Sequence, residues 1–503
     1  MDKDKLIKRC YFSKGVRVTV RKFAFDVSWV FISNIITLAT GFLLSVILGR
    51  FLGAAPLGLF KMTSTIYAIT SLVGGIGIPV AIVKYVAEYK EDKEKLNIFV
   101  SCGVVNSVIF GAIAGTVLFT LSNTLANVFN MPELTGLIEI IAFSLPFLVV
   151  NNTLLGLLNG LREMKSYSFR TVFRSALLLG FTILFVGIGL GIKGAVLAVL
   201  LSEVGTLFLL IFISRNFFCF VIRDYVKTTK ELVKFGSQLF LASAIYMVNT
   251  YTDTLLVGFF LMDKDVGIYA IAIALSKSFL IIPGSLSTVT YPAISEYNSK
   301  GSHESVGNLI NKSMKYSLII LSILGILIVF FSKDIILLLL KPEFLPAVTP
   351  IAILILGMIF FGSMSSIGSA FTAVGRPDIP FKTNMFAAVV NLSLDVVLIP
   401  ILGITGAAIG TATSFSVLTI LAIYLLNKIL NVKIDIRWYA KVLSTIALII
   451  AAFFIFKDWM NLYLLISILF GGYLTLVSKF LITRDDRKDF WKMAKQILKK
   501  SSY

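Results

Sequence analysis

Gly49-Arg50-Phe51-Leu52, running on to Gly58-Leu59-Phe60, returns two hundred residues later as Gly258-Phe259-Phe260-Leu261 running on to Gly267-Ile268-Tyr269. In both places the two glycines stand nine residues apart. Working outward, Ala87-Glu88-Tyr89-Lys90 answers to Ser295-Glu296-Tyr297-Asn298, and Gly191-Ile192-Lys193-Gly194-Ala195 to Gly403-Ile404-Thr405-Gly406-Ala407. The offsets are 209, 208 and 212 residues, so a unit of about 210 residues has been duplicated.

Hydrophobic residues fill 57% of the 503 positions, only 15% are charged, and mean hydropathy is +0.92. Soluble chains are roughly half apolar and one quarter charged, so the solvent here is lipid. A spanning helix needs about 20 apolar residues. On that basis the cores fall at 25–48, 57–83, 98–121, 137–159, 171–190, 194–213, 237–261, 267–292, 317–332, 347–373, 384–402, 406–427, 440–456 and 460–480. After the ninth, Ile335–Leu340 reads either as its continuation or as a separate interfacial segment. Six cores fall in each repeat, and an even number makes the repeats parallel, the arrangement that places a substrate between two lobes. The expected fold is an all-α integral membrane protein of about fourteen transmembrane helices. Two parallel six-helix repeats form two lobes around a central cavity, and two further helices close the C-terminus.

The net charge of +19 is topological. With the helices alternating, 38 Lys and Arg fall on the side of the N-terminus and 7 on the other, with Lys277 inside a helix. That bias places both termini in the cytoplasm of a plasma-membrane protein and removes the need for a nucleic-acid partner. The expected segments are a basic N-terminal stretch (1–24), a six-helix lobe (25–213), a cytoplasmic linker (214–236), a second lobe (237–427), helices thirteen and fourteen (428–480) and a basic tail (481–503). The first apolar run is too long for a cleaved signal and reads as an anchor. Lys5–Lys22 and Phe490–Lys500 read as amphipathic segments on anionic headgroups.

Cys10, Cys102 and Cys219 are scattered, and the single histidine, His303, lies in a polar loop. No metal site, catalytic triad or cofactor motif can be assembled from them. The informative residues are polar ones at membrane depth, where an ionised side chain faces a cavity or a partner. Lys277 lies midway along helix eight, with Gly284, Ser285 and Thr288 beyond it. Helix seven carries Ser243, Tyr246, Asn249, Thr250, Asp253 and Thr254 on one face, and helix one a narrower stripe of Asn34, Thr37, Gly41 and Ser45. Lys277, Asp253, Asn249, Tyr246, Asn34, Thr37 and Ser285 are therefore the cavity candidates. Asp253 and Lys277, at similar depths on consecutive helices, either pair with each other or serve a substrate. Asp253, Glu203 and Asp395 are the ion-coupling candidates, with buried interhelical contact as the other reading of Glu203 and Asp395. Arg174, with Arg170 one turn earlier, reads as a residue snorkelling toward the headgroups. Pro79, Pro146, Pro283 and Pro292 mark kinks.

The chain resembles the multidrug/oligosaccharidyl-lipid/polysaccharide superfamily, in its polysaccharide-exporter or oligosaccharide-flippase branch. The resemblance is carried by Leu48–Phe60 after helix one, Tyr251-Thr252-Asp253-Thr254-Leu255-Leu256-Val257-Gly258 in helix seven, Asn159-Gly160-Leu161-Arg162 after helix four and Gly375-Arg376-Pro377 after helix ten. It implies flipping of a polyprenyl-phosphate- or pyrophosphate-linked glycan to the outer leaflet, with membrane lipids and glycan-assembly proteins as companions. Lys277 is then the mid-membrane cation for the headgroup. The lipid II flippase branch carries an Arg-Asp pair in helix one, where Leu44 and Ser45 stand here. Drug and cation antiporters of the superfamily usually have twelve helices and cavity carboxylates; an antiporter reading would use Asp253, Glu203 or Asp395. A polytopic glycan-assembly enzyme is the remaining class, and the short outer loops, with only Asp263 and Asp265 adjacent, disfavour it.

Overall fold

The structure is a computed structural model describing residues 3–432, 434, 436–457 and 459–477, with side chains described from Phe25 onward save at a few positions. The basic C-terminal tail, the end of the last expected span and the side chains of the N-terminal basic stretch lie outside the described residues. Among those described, the regular structure is helical throughout. The chain runs through α1 (Lys3–Phe51), α2 (Ala54–Gly75), α3 (Ile78–Glu88), α4 (Lys93–Thr120), α5 (Ser122–Val128), α6 (Leu134–Ala142) and α7 (Leu145–Gly160). Next come α8 (Met164–Gly187), α9 (Gly191–Ser214), α10 (Tyr225–Phe260), α11 (Asp263–Lys277) and α12 (Ile281–Ser299). Then follow α13 (His303–Leu339), α14 (Val348–Ser363), α15 (Ser365–Ala373), α16 (Asp378–Leu402), α17 (Ile404–Leu430), α18 (Ile436–Phe456) and α19 (Leu462–Leu476).

Among the described residues nine helices are long and apolar enough to cross a membrane, or eleven when each bent pair counts as one span. This is a multi-pass membrane protein. The bent pairs are α2 with α3, at 48°, and α6 with α7, at 47°. Pro79 and Pro146 stand in the first turns of α3 and α7, just past each bend, where a missing N–H is harmless. At the first bend Ile76 and Gly77 adopt φ of 43° and 71°, so the left-handed backbone breaks the helix. The apolar stretch that left helix nine ambiguous forms one continuous helix, α13, of 37 residues.

Two compact units emerge. The first takes in the chain up to Ala274 together with Leu338–Ala347 and Ala388–Gly410. Its centre is built on small residues. Gly103, Ser107, Gly111 and Gly115 recur every fourth position of α4, and a Cβ on each of the three glycines would press on Ile82, on Pro146 or on the Ala142 carbonyl. Ser107 and Thr153 share a hydrogen bond of 2.6 Å across the same seam. In lipid, where apolar burial gives helices little reason to associate, such close backbone approach is the main attraction.

The duplicated motif packs on itself inside this unit. A Cβ on Gly58 would overlap the Asp263 carbonyl oxygen, and one on Gly267 the Ala54 carbonyl oxygen. The two copies therefore meet backbone to backbone at the N-termini of α2 and α11. The rest of the motif anchors this corner. Arg50 donates through Nη1 to the Leu338 carbonyl at 2.7 Å, near the carbonyl-rich end of α13, and Glu343 accepts from the Ala54 N–H at 3.2 Å where α2 begins. Farther along, a Cβ on Gly77 would overlap the Gly236 backbone and one on Gly258 would press on Met62, so α10 touches the α2–α3 span at its bend and in the first turns of α2.

The second unit comprises Leu275–Leu337, Val348–Ala387 and the chain from Thr411. Here α13 is the axle. Gly325 admits Ile355 and Ile359 of α14, the Phe330 ring packs at a tilt on Phe453 of α18 with centroids 4.6 Å apart, and Ser322 bonds the buried Tyr473 hydroxyl of α19.

Candidate functional site

Two clusters of charge are buried in the first unit, and between them they hold all three ion-coupling candidates. One is acidic. Asp253 on α10 and Asp395 on α16 are both buried, and their carboxyl groups lie within hydrogen-bonding reach of one another. Tyr269 of α11, itself 1% exposed, donates its hydroxyl to Asp253 Oδ2 at 2.9 Å. Asn391 stands one turn before Asp395 and is also buried. A Cβ on Gly410 would overlap Asp395 Oδ1, so the absence of a side chain on α17 is what admits the carboxylate. That oxygen accepts no hydrogen bond from any described residue. Two carboxylates so close in a dry site repel unless a proton or a cation sits between them.

The other cluster has the opposite sign. Glu203, fully buried on α9, accepts from Arg174 Nε at 2.6 Å and from Asn151 Nδ2 at 2.8 Å, and Arg170 Nη2 lies 4.0 Å from it. The same Asn151 amide reaches the Glu203 backbone carbonyl at 3.0 Å. Arg170 and Arg174 project together because they are four apart on α8. Tyr67 of α2 closes the cluster, with Ser144 beside its hydroxyl.

The remaining candidates are placed separately. Asn249 is half-buried on α10, whereas Asn34 and Thr37 are exposed on α1, with Thr37 Oγ1 donating to the Ser33 carbonyl at 2.9 Å. Lys277 is the last residue of α11 and belongs to the second unit. A 3₁₀ turn, Ser278–Leu280, follows it, so the expected helix eight is interrupted there. The side chains of Tyr246 and Ser285 lie outside the described residues. Two cations stand within helices, Arg174 on α8, inside the expected core 171–190, and Lys61 on α2, inside the expected core 57–83. Lys61 is half-buried and forms no hydrogen bond or ion pair with a described residue. Its signal in the sequence was a lone lysine just past the start of an apolar run.

The Arg376 that carries part of the resemblance serves its own loop. Its Nε and Nη2 donate to the two oxygens of Asp378 at 2.9 and 3.1 Å. That hydrogen bond, with the neighbouring positive charge, holds the exposed Asp378 carboxyl below the usual aspartate range.

Compared with known families, residues 23–298 match the model described as "Polysaccharide biosynthesis protein", more than half of the chain. The chain belongs to that family. Residues 269–474 match a second model, "Lipid II flippase MurJ", and both place the chain in the multidrug/oligosaccharidyl-lipid/polysaccharide superfamily. Among relatives of the chain, an uncharacterised membrane protein of Methanocaldococcus jannaschii is 25% identical over 86% of the chain and 89% of its own length. The probable low-salt glycan biosynthesis flippase Agl15 of Haloferax volcanii is 27% identical over 41% of the chain and 44% of its own. The fold is that of a solved lipid II flippase MurJ in an inward closed conformation. That structure has a TM-score of 0.72 and 16% identity, and the match covers 90% of this chain and 99% of the other. An inward-facing multidrug transporter of the superfamily shares the fold at a TM-score of 0.68 and 16% identity, over 79% and 94%.

Proposed function

We propose that this protein flips a polyprenyl-phosphate- or pyrophosphate-linked oligosaccharide from the inner to the outer leaflet by alternating access. The observation that carries the reading is the pair of buried charge clusters of opposite sign in a chain of this family and fold. A transporter of an anionic headgroup needs fixed positive charge for the cargo and an exchangeable site to drive the cycle. Glu203 already has its counter-charge, so coupling is assigned to Asp253 and Asp395, which take a proton or a monovalent cation between them. Lys277 supplies a point cation for the headgroup, and Asn249, Asn34 and Thr37 offer polar contacts to the glycan. In this reading fourteen helices span the plasma membrane with both termini cytoplasmic. The repeats 25–213 and 237–427 form two lobes joined by 214–236, with 428–480 added.

The test is reconstitution into liposomes with a fluorescent polyprenyl-pyrophosphate-linked oligosaccharide, scored by quencher protection as label crosses the bilayer. Protein-dependent flipping that responds to an imposed proton or sodium gradient is the expected result. The acidic pair also suits a second reading, a drug- or cation-exporting antiporter. Gradient-driven export of an organic cation with no glycolipid movement would replace the first reading with the second.

A further inference from the structure

The cluster around Glu203 has more positive charge than its own structure uses. Two guanidiniums, which stay charged in proteins, face one carboxylate. Glu203 is the only carboxylate among the described residues that acts on either arginine. The sum is one uncompensated positive charge in a low-dielectric interior. Arg170 is 94% buried (6% exposed), yet its Nε and Nη2 have no hydrogen-bond partner among the described residues. Asn151 Oδ1, alongside, is in the same condition. Buried polar atoms are almost always satisfied, so this concentration marks a place for something else. Water can meet the hydrogen bonds, but it leaves the charge unbalanced.

Arg174 shows which way the missing group comes. Its Nε is held by Glu203, and Glu203 is in turn fixed by Asn151 on α7, so the guanidinium plane is set by three helices. The Nη groups donate to no described residue, and 27% of the Arg174 side chain stays exposed, against 8% for Arg170. A guanidinium clamped on one edge presents its remaining N–H groups as a preset fork, the geometry that takes phosphate oxygens in pairs.

We propose that Arg174, aimed by Glu203 and backed by Arg170, is an anion-binding residue in the first unit that takes the phosphate or pyrophosphate of the lipid-linked glycan. The assignment deepens the flippase reading and rests on it for the identity of the anion. Glu203 is then a positioning residue, and the cluster is a cargo site rather than an ion-coupling site.

Full-length protein in nanodiscs is titrated with a short-chain polyprenyl phosphate, its pyrophosphate and inorganic pyrophosphate, and flipping is measured in liposomes. Arg174→Gln should weaken the pyrophosphate probe roughly tenfold or more, and Arg174→Lys by severalfold, because an ammonium keeps the charge and loses the fork. The decisive variant is Arg174→Gln with Glu203→Gln, which leaves the cluster at its original net charge. It should recover the thermal midpoint lost in the single variants while binding and flipping stay low. If that double variant binds and flips like wild type, the arginine is purely structural and the proposal is overturned. It is also overturned if Arg174→Gln loses activity only in proportion to folded protein. Wild type that binds the probes through Arg174 but flips none of them would break the flippase reading and leave the anion site standing. Binding of inorganic pyrophosphate equal to the lipid probe would point to a free anion as the ligand.

Discussion

The clusters around Glu203 and Asp395 use similar materials, charges on neighbouring helices with an amide beside them, but they close differently. Around Glu203 the carboxylate is saturated: Arg174 and Asn151 donate to it, and Arg170 stands behind. Nothing need enter or leave for that oxygen pair to be at rest. Around Asp395 one oxygen accepts nothing from the described residues, and the nearest acid is a second carboxyl. A saturated carboxylate is a fixture, whereas an unsaturated pair is complete only with a particle that can exchange. Burial alone does not distinguish the two, since both aspartates and the glutamate are nearly inaccessible. What separates them is the balance of donors and acceptors.

That contrast is breakable. The largest effect is expected at Asp395: Asp395→Asn should cut gradient-driven flipping on the order of tenfold or more, about the scale of one lost coupling interaction. Its thermal midpoint should be unchanged or raised, because a repelling neighbour of Asp253 has gone. Flipping that stays gradient-driven in Asp395→Asn would dissolve the distinction. Glu203→Gln should behave oppositely in a thermal-shift assay. Stranding buried guanidiniums is on the order of 3–5 kcal/mol, so a fall of several degrees is expected, and an unchanged midpoint would mean that Glu203 is no fixture. Next comes Lys277, where charge rather than shape should matter. Lys277→Arg should keep most of the flipping per folded molecule and Lys277→Ala should lose severalfold, and normal specific activity in Lys277→Ala would remove the lysine from the mechanism. The smallest effect belongs to the Arg376–Asp378 pair. Because the folded Asp378 carboxyl titrates below its ordinary range, its contribution is present above that range and lost only as the pH falls through the lowered value. Between about pH 5 and 8 that contribution is constant, so Asp378→Asn should lower the thermal midpoint only slightly, by the same amount across that range, and leave flipping unchanged; a clear loss of flipping there would give this loop a role that its exposed local pairing does not suggest.

The membrane class, the all-helical fold and the recurrence of the glycine motif were legible in the sequence because hydropathy and repeated glycines are local signals. Hydropathy fixes one coordinate, depth along the membrane normal. It put Asp253, Lys277, Glu203 and Asp395 at mid-membrane but not at any bearing around the bundle. Arg174 and Glu203 are 29 residues apart and meet because α8 and α9 pack side by side, while the Asp253–Asp395 encounter joins helices far apart in the chain. Charge counting takes cations to lie outside the apolar layer, yet Lys61 and Arg174 stand within helices. A helix interior that can neutralise or use a cation breaks that assumption, and Glu203 does so for Arg174.

The meeting of Gly58 with Gly267 has a consequence of another kind. A seam made by peptide groups alone has no rotamers to freeze when it forms, so the two copies of the motif can join and part without reordering side chains. It also couples their histories. Each glycine lies against the backbone of the other copy of its own motif, so a larger residue in one half wedges the other half as well. Whatever drift the rest of the chain allows, at this corner a change in one copy of the motif must be tolerated by the other.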